Sequence, residues 1–365
     1  MDAIGMYIHV PFCLGKCPYC DFYSVYPDEN LVKEYLGAVK TRIREYSLIY
    51  KRGIKTVYFG GGTPNLIGHK GISEILNEIK ENFNTENTEE ITVECNPNSV
   101  TEEFFTEVKK AGVNRISMGL QSANSGELKF LGRKHSAENV LNAVSFAKKA
   151  GIENISLDLM IGLENQTKEM LLNSVEFCAL LDIPHISSYI LKIEENTPFA
   201  KRNIVLPDED ASAELYLFVS KELEKRGYNQ YEISNYSKEG MESRHNLVYW
   251  QGKEYLGIGP GAHSFMENKR FYYERDLKAF IEGAAIVDDG EGGDFEEFLM
   301  LNLRLKRGLI KKECAEKFID GEILFNEALK KAKKIPDMYI ETDSERIAIT
   351  KEGFLISNTI ISMLI

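Results

Sequence analysis

The stretch MYIHVPFCLGKCPYCDFY, residues 6–23, sets a short β-rich run directly against three cysteines. Residues 6–10 are apolar, β-branched or aromatic with one histidine among them, and Pro11 ends the run. Cys13, Cys17 and Cys20 follow in C-x3-C-x2-C spacing, three of the chain's six cysteines, and Phe22 stands where a fourth could sit. A strand that hands chemistry-bearing residues to the loop at its C-terminal end is the first unit of a pattern that the next 170 or so residues repeat.

Similar runs recur at TVYFG, ITVEC, RISMGL, ISLDLM and HISSYIL. Between them lie amphipathic stretches. Ile72, Ile75, Leu76 and Ile79 fall at helical spacing, as do Phe104, Phe105 and Val108 after a Thr101-Glu102-Glu103 start. Six β-then-α units in succession require parallel strands with right-handed crossovers. An open doubly wound sheet and a complete or partial TIM-type barrel both satisfy this. The polar punctuation favours the barrel. The cysteines follow the first strand and Gly60-Gly61-Gly62-Thr63-Pro64 the second; Glu94 closes the third, Gln121 follows the fourth, Asp158 ends the fifth and Tyr189 the sixth. A barrel gathers those strand ends around one cavity, whereas an open sheet spreads them along a line. The expected fold is therefore α/β, a partial (β/α)6 barrel.

Composition shifts at DDGEGGDFEE, residues 288–297, which predicts a core of residues 1–287 and a module of residues 288–365. In the latter, FLMLNLRL reads as helix, YIETDSERIAIT as two strands around a polar turn, and KEGFLISNTIISMLI as helix, a small helix-plus-wing unit. Such units often bind DNA, but a net charge of −12 gives nucleic acid no electrostatic footprint and favours a packing or lid role. No apolar run reaches membrane-span length, and the N-terminus has no basic leader. The expected location is cytoplasmic, with peripheral membrane association allowed. In that reducing setting clustered cysteines mean metal or redox chemistry.

Structural zinc usually takes four ligands in paired spacings, and no second C-x2-C follows here. Catalytic zinc takes three protein ligands, but all-thiolate sets at this spacing are unusual. Iron–sulfur ligation favours clustered cysteines, and three thiolates on a 4Fe–4S cube leave one iron open for a small ligand. Gly15 and Pro18 suit a loop that wraps a cube, and Lys16 adds positive charge. The isolated Cys95, Cys178 and Cys314 read as small core residues.

YIHVPFCLGKCPYCDF followed by GGGTP resembles the radical S-adenosylmethionine superfamily, and more narrowly the branch that holds oxygen-independent coproporphyrinogen III oxidase and the haem chaperones of HemW type. SMGLQS, LGRKH, IGPGAHSF and the C-terminal module extend the resemblance over nearly the whole chain. It implies that Cys13, Cys17 and Cys20 hold a 4Fe–4S cluster whose open iron chelates S-adenosylmethionine. It also implies cofactor contacts from Tyr7, Tyr19, Gly61, Gly62, Thr63, Glu94, Gln121, Arg133 and Asp158. Arg133 would pair with the methionyl carboxylate, Asp158 with ribose hydroxyls, and Glu94 with the cationic or hydroxyl end. One departure is GLENQT at residues 162–167, where the branch often has GLPGQT.

The oxidase resembles C-x3-C-x2-C-x-C, so its further cysteine falls at Phe22; it also carries an N-terminal extension, for which six residues before Tyr7 leave no room. His245, Tyr249 and Trp250, in RHNLVYW, match a motif associated with haem binding in the chaperones, and His263 in the following glycine-rich loop is a second candidate axial ligand. The resemblance thus implies haem as ligand, haem-accepting proteins such as membrane respiratory enzymes as partners, and a second copy of the chain as a possible partner. The alternative is the oxidase itself, decarboxylating porphyrinogen propionates. The radical machinery is present in outline, but that activity is not expected.

Overall fold

The computed structural model describes residues 3–365. Its central sheet is built from β1 (Ile4–Val10), β2 (Ile54–Gly61), β3 (Glu90–Cys95), β4 (Arg115–Gln121), β5 (Asn154–Ile161) and β6 (His185–Ile190), hydrogen-bonded in that order and all parallel. Helices α1 (Glu29–Ile49), α2 (Gly68–Asn82), α3 (Glu102–Ala111), α4 (Ser125–Phe130), α5 (Ala137–Lys149) and α6 (Lys168–Leu180) provide the crossovers. Their starts follow local chemistry. The Thr101 side chain accepts from Phe104 N–H at the head of α3, and Ser136 and Asn139 form a reciprocal cap on α5. The expected α/β radical-type architecture, six parallel strands in a partial barrel, is the one found.

The sheet continues past the expected six strands on both sides. After helix α7 (Glu209–Glu224) come β7 (Asn229–Gln230) and β8 (Asn235–Ser237), and β8 lies antiparallel to β6. On the other side β9 (Tyr255–Ile258) runs parallel to β1, followed by β10 (His263–Met266), β11 (Lys269–Tyr272) and β12 (Val287–Glu291). These strands are short and irregular, without the hydrophobic runs that announce β1–β6. One further difference concerns Asp158. It lies in the middle of β5 and does not end it, because the apolar run continues through Ile161.

The six strands share one alternation. Met6, Ile8 and Val10, Val57 and Phe59, Ile91 and Val93, Ile116, Met118 and Leu120, and Ile155, Leu157 and Leu159 are buried in the apolar layer beneath the helices. The opposite face carries Gly5, Tyr7 and His9, Thr56 and Tyr58, Glu90, Thr92 and Glu94, Arg115, Ser117 and Gln121, Ser156 and Asp158, and His185, Ser187 and Tyr189. That face lines the barrel interior and is almost wholly polar. Tyr7, Tyr58, Glu94, Gln121 and Asp158 remain partly accessible to water, so the interior is open where a typical barrel is packed with branched apolar side chains.

The N-terminal ends of the strands are closed by α8 (Arg244–Trp250). Glu90, the first residue of β3, caps this helix by accepting from Arg244 N–H at 2.9 Å and His245 N–H at 3.1 Å. The His245 ring is 1% exposed and hydrogen-bonds through both nitrogens, Nδ1 to Thr56 Oγ1 at 2.8 Å and Nε2 to Tyr249 Oη at 2.8 Å. It also stacks on Tyr58 with centroids 5.0 Å apart. A side chain on Gly5 would meet Val248 at 3.2 Å, so this glycine admits the helix to the floor.

A second apolar cluster gathers residues from α10 (Phe295–Asn302), reached through α9 (Leu277–Ile281), and from the elements that follow it. These are α11 (Lys311–Lys317), α12 (Gly321–Ala332), α13 (Lys351–Phe354), α14 (Ser357–Leu364) and a three-stranded antiparallel sheet of β13 (Leu309–Ile310), β15 (Arg346–Ile349) and β14 (Ile340–Thr342). The two strands around a polar turn and the terminal helices stand where the sequence places them. Among the described residues no helix is long and apolar enough to cross a membrane.

The floor yields a stability prediction. His245→Ala removes two buried hydrogen bonds and a ring stack and leaves a void, at a cost of about 3 kcal/mol. Equilibrium urea unfolding should show a lower midpoint with an unchanged slope; an unaltered midpoint would mean that the plug contributes nothing to the fold.

Candidate functional site

The cysteine loop leaves β1 at the end opposite α8. Cys13 N–H donates to Val25 O at 3.0 Å and Val25 N–H to Pro11 O at 2.7 Å, so residues 11–25 close on themselves. Cys20 N–H to Cys17 O, at 3.0 Å, makes the tight turn around Pro18. The loop is also gripped from outside. Phe199 N–H donates to Pro18 O at 2.9 Å, and Gly132, at φ +67°, lies so close that a Cβ there would be 2.7 Å from the Pro18 ring.

All three thiols are free and partly exposed, whereas Cys95, Cys178 and Cys314 are buried in apolar surroundings, as expected of core cysteines. Thr63 Oγ1 lies 3.7 Å from Cys13 Sγ, and Arg133 Nη1 lies 3.5 Å from Cys17 Sγ. Lys16 is in the loop itself, and Lys134 Nζ is 3.7 Å from the position of a Cβ on Gly15. Positive charge therefore rims the thiols, which suits a polynuclear cluster carrying several thiolates. Burial pushes the Cys20 thiol up, so the proton it holds in the free protein must leave when a metal binds.

The glycines of GGGTP serve a purpose that sequence reasoning misses. A Cβ on Gly60 would sit 2.9 Å from the Tyr7 ring, one on Gly61 2.7 Å from the His9 imidazole, and one on Gly62 2.5 Å from Phe12 O. The missing side chains thus make room for β1 and the root of the cysteine loop. Gly61, at φ +112°, also turns its N–H onto Glu94 Oε2 at 3.3 Å. The other Glu94 oxygen accepts from Tyr58 Oη at 2.8 Å. Glu94 therefore ties β2, β3 and the glycine loop together, and Tyr58 is a positioning residue that periodicity could have revealed as inward-facing.

Gln121 ends β4 at φ +66°, a left-handed conformation that a non-glycine residue adopts at a cost, and the ladder to β5 slips one residue there. Its side chain folds back over Gly119, where a Cβ would be 2.3 Å from Gln121 Nε2. Arg133 reaches the same place, donating through Nη2 to Gly119 O at 3.3 Å. Its Nε contacts His135 Nδ1 at 3.2 Å, while His135 Nε2 faces Leu120 O at 3.0 Å. The structure thus brings Arg133 to Cys17 and to Gly119 at the end of β4, beside Gln121, and Thr63 and Glu94 together at the ends of β2 and β3, with Asp158 inward on β5, the next strand after β4. Tyr19 packs inward against Phe199, and burial raises its phenol. Burial likewise pushes Glu94 up to about 7 and Asp158 up to about 6. Two inward carboxyls that resist ionisation, with each other's charge adding to the cost for Glu94, form a site that a cation would relieve. The loop around Glu164 and Asn165 is sound. Asn165 takes φ +58°, and Gln166 Oε1 accepts from Gly162 N–H at 2.7 Å.

The residues of RHNLVYW are not at this mouth but at the floor. His245 offers no free nitrogen to an iron, because both are engaged within the chain. Tyr249 is held between His245 and Tyr255 in edge-on contacts at 5.1 and 4.6 Å. Trp250 is half-buried with the Arg304 guanidinium 5.9 Å from its ring. Sequence reasoning also misses Arg115, 2% exposed on the inward face of β4, whose Nε has no hydrogen-bond partner among the described residues.

A model of the radical SAM superfamily matches residues 7–178. The chain is 36% identical to the haem chaperone HemW of Haemophilus influenzae, over 100% of this chain and 98% of that one. It is 34% identical to HemW of Lactococcus lactis, over 97% and 95% of the two chains, and 33% identical to HemW of Escherichia coli, over 100% and 98%. The fold is similar to that of coproporphyrinogen III oxidase HemN of Escherichia coli, with a TM-score of 0.84 at 20% identity over 100% of this chain and 90% of that one.

Glu94 supplies a pH test on the ligand-free protein. Its folded value, about 7, lies above the 4.5 of an unburied glutamate. The unfolded chain therefore releases this proton first, and stability is lost as pH rises from about 4.5 through about 7, by on the order of 3 kcal/mol. In Glu94→Gln that decline should shrink, as read from denaturation midpoints across the same range. An identical decline in both proteins would show that Glu94 is not the group responsible.

Proposed function

The chain belongs to the radical SAM superfamily, in the family of HemW and HemN, and from that membership we propose that it is a haem chaperone, binding haem and passing it to acceptor proteins. The full-length similarity to HemW carries this reading. The cysteine loop supports it, because Phe22, 63% exposed, stands beside the mouth where the oxidase pattern has a further cysteine.

The residues at the mouth fit the two cofactors that the family implies. A 4Fe–4S cluster on Cys13, Cys17 and Cys20 would supply an open iron for the amine and carboxylate of S-adenosylmethionine, and an electron for its sulfonium. The chain's own groups then divide the rest of that ligand. Arg133 offers its guanidinium to the carboxylate, while Glu94 and Asp158, both favoured by a nearby cation, face its positive charge and ribose hydroxyls. Gly61, Gly62 and Thr63 present backbone and hydroxyl groups beside Cys13, and Gln121 is held on the facing strand. Tyr7 and Tyr19 line the cavity and exclude water. In this reading the cofactor site sits next to the haem-binding surface and controls haem transfer, and turnover is not its main purpose. Acceptors at the membrane would meet the protein as a peripheral partner.

Anaerobic reconstitution should load about four irons and four sulfides per chain, and Cys17→Ala should abolish the cluster; stoichiometric zinc in their place would overturn the cofactor assignment. Titration with haem should shift its Soret band at one equivalent, and no shift would sink the chaperone reading. Conversion of coproporphyrinogen III to protoporphyrinogen IX by the reduced protein would identify an oxidase instead.

A further inference from the structure

We propose that Arg115 is a positioning residue for the cofactor site: its guanidinium, buried on the strand between those that carry Glu94 and Asp158, is the countercharge that keeps both carboxylates ready for a cationic ligand. This inference rests on the S-adenosylmethionine reading above and adds the residue that sets the charge of that site.

The inward faces of β1–β6 carry the acids Glu90, Glu94 and Asp158 and a single permanent cation, Arg115. Glu90 is spent on the head of α8. The histidines of these faces are not cations, because burial lowers His9 to about 4 and drives His185 down as well. Burial also lowers His245, on α8 beneath them, to about 3. Arg115 is 2% exposed, its Nε has no hydrogen-bond partner, and no acid among the described residues is in direct ion-pair contact with it. A guanidinium at that depth is costly to bury unless its charge is balanced.

The balance comes from the flanking strands. Arg115 stands opposite Thr92 on β3 and Asn154 on β5. Glu94 lies two residues further along β3, and Asp158 four residues further along β5, both towards the mouth. Burial pushes Glu94 up to about 7 and Asp158 up to about 6, and the Arg115 charge acts against burial at both. The separation has a chemical use. A direct ion pair would spend carboxylate oxygens on the arginine. From a short way off, in a poorly polarisable interior, the same charge favours the anions and leaves their oxygens to a ligand.

Nothing else facing the two carboxyls does this. Tyr7 from β1, Tyr58 from β2, Tyr189 from β6 and Tyr249 from α8 are phenols that burial holds above their ordinary range. The Cys95 and Cys178 thiols are pushed up in the same way. The Arg133 guanidinium also favours the Asp158 anion, but it is held by Cys17 and Gly119 at the mouth.

The test is calorimetric titration of the cluster-loaded protein with S-adenosylmethionine across about pH 5.5 to 8.5, for wild type, Arg115→Met and Arg115→Lys. Titration of the ligand itself is common to all three. Arg115→Met should move the pH profile of affinity upward by about one unit, a loss of about fivefold or more near neutrality, and Arg115→Lys should return it to the wild-type position. In the ligand-free proteins, infrared absorption of protonated carboxyls, assigned with Glu94→Gln and Asp158→Asn, should persist to higher pH in Arg115→Met. Should Arg115→Met not fold, Arg115→Gln provides the same comparison. A merely structural arginine would lower the thermal midpoint and leave both pH profiles in place, and that result overturns the proposal. A cluster-loaded wild type that binds no S-adenosylmethionine at any pH overturns the cofactor reading instead, and the infrared titration still decides whether Arg115 sets the charge of Glu94 and Asp158.

Discussion

Each of the strands β1–β6 has to satisfy two environments at once, and the rest of the molecule depends on that constraint. One face packs under helices, where every buried Ile, Val or Leu contributes roughly 1.5–3 kcal/mol. The other face is polar and partly wet, and it contributes little by burial. The interior must therefore be held by hydrogen bonds between named partners: Tyr58 to Glu94, Glu94 to the Gly61 amide, Ser156 to His185, Thr56 to His245. A polar barrel with so specific a lining gives up packing in order to keep room and charge at its mouth.

That division explains what was legible in the sequence. The parallel strands, the helices between them and the cysteine loop could be read, because alternation and spacing are local properties of the chain, whereas the roles of the mouth residues came only from the motifs' resemblance to a known family. Arg115 and Tyr58 were legible in principle, since they share a face with Gln121 and with Gly60. Other features were not. The role of Gly60–Gly62 depends on Tyr7, His9 and Phe12, some fifty residues earlier, and no pattern within GGGTP announces it. The motif RHNLVYW presents a histidine, a tyrosine and a tryptophan that suit a porphyrin by type. Its place at the floor is decided by Glu90 and Thr56, which sequence proximity cannot associate with it.

The strands from 255 to 291 were hidden for a similar reason. They are short, interrupted by glycine turns, and become strands only by pairing onto β1 and one another. Yet this segment sets Gly259 against His9 and pairs Arg275 with Asp21, so the part of the chain least readable as structure packs on the loop that carries the thiols.

The floor helix has a consequence for how the protein is made. Its cap spans 154 residues of chain from Glu90 to Arg244, and the Thr56–His245 bond spans 189. During synthesis the six parallel strands and the cysteine loop emerge well before α8 does, so the growing polypeptide passes through a stage with its barrel open at both ends. Ribosome pausing or truncation upstream of residue 244 would leave Gly5, Thr56 and Glu90 facing water, their partner not yet translated. Closure of the floor thus depends on contacts of long sequence separation, which carry a larger loop-closure entropy than the local contacts within the helices.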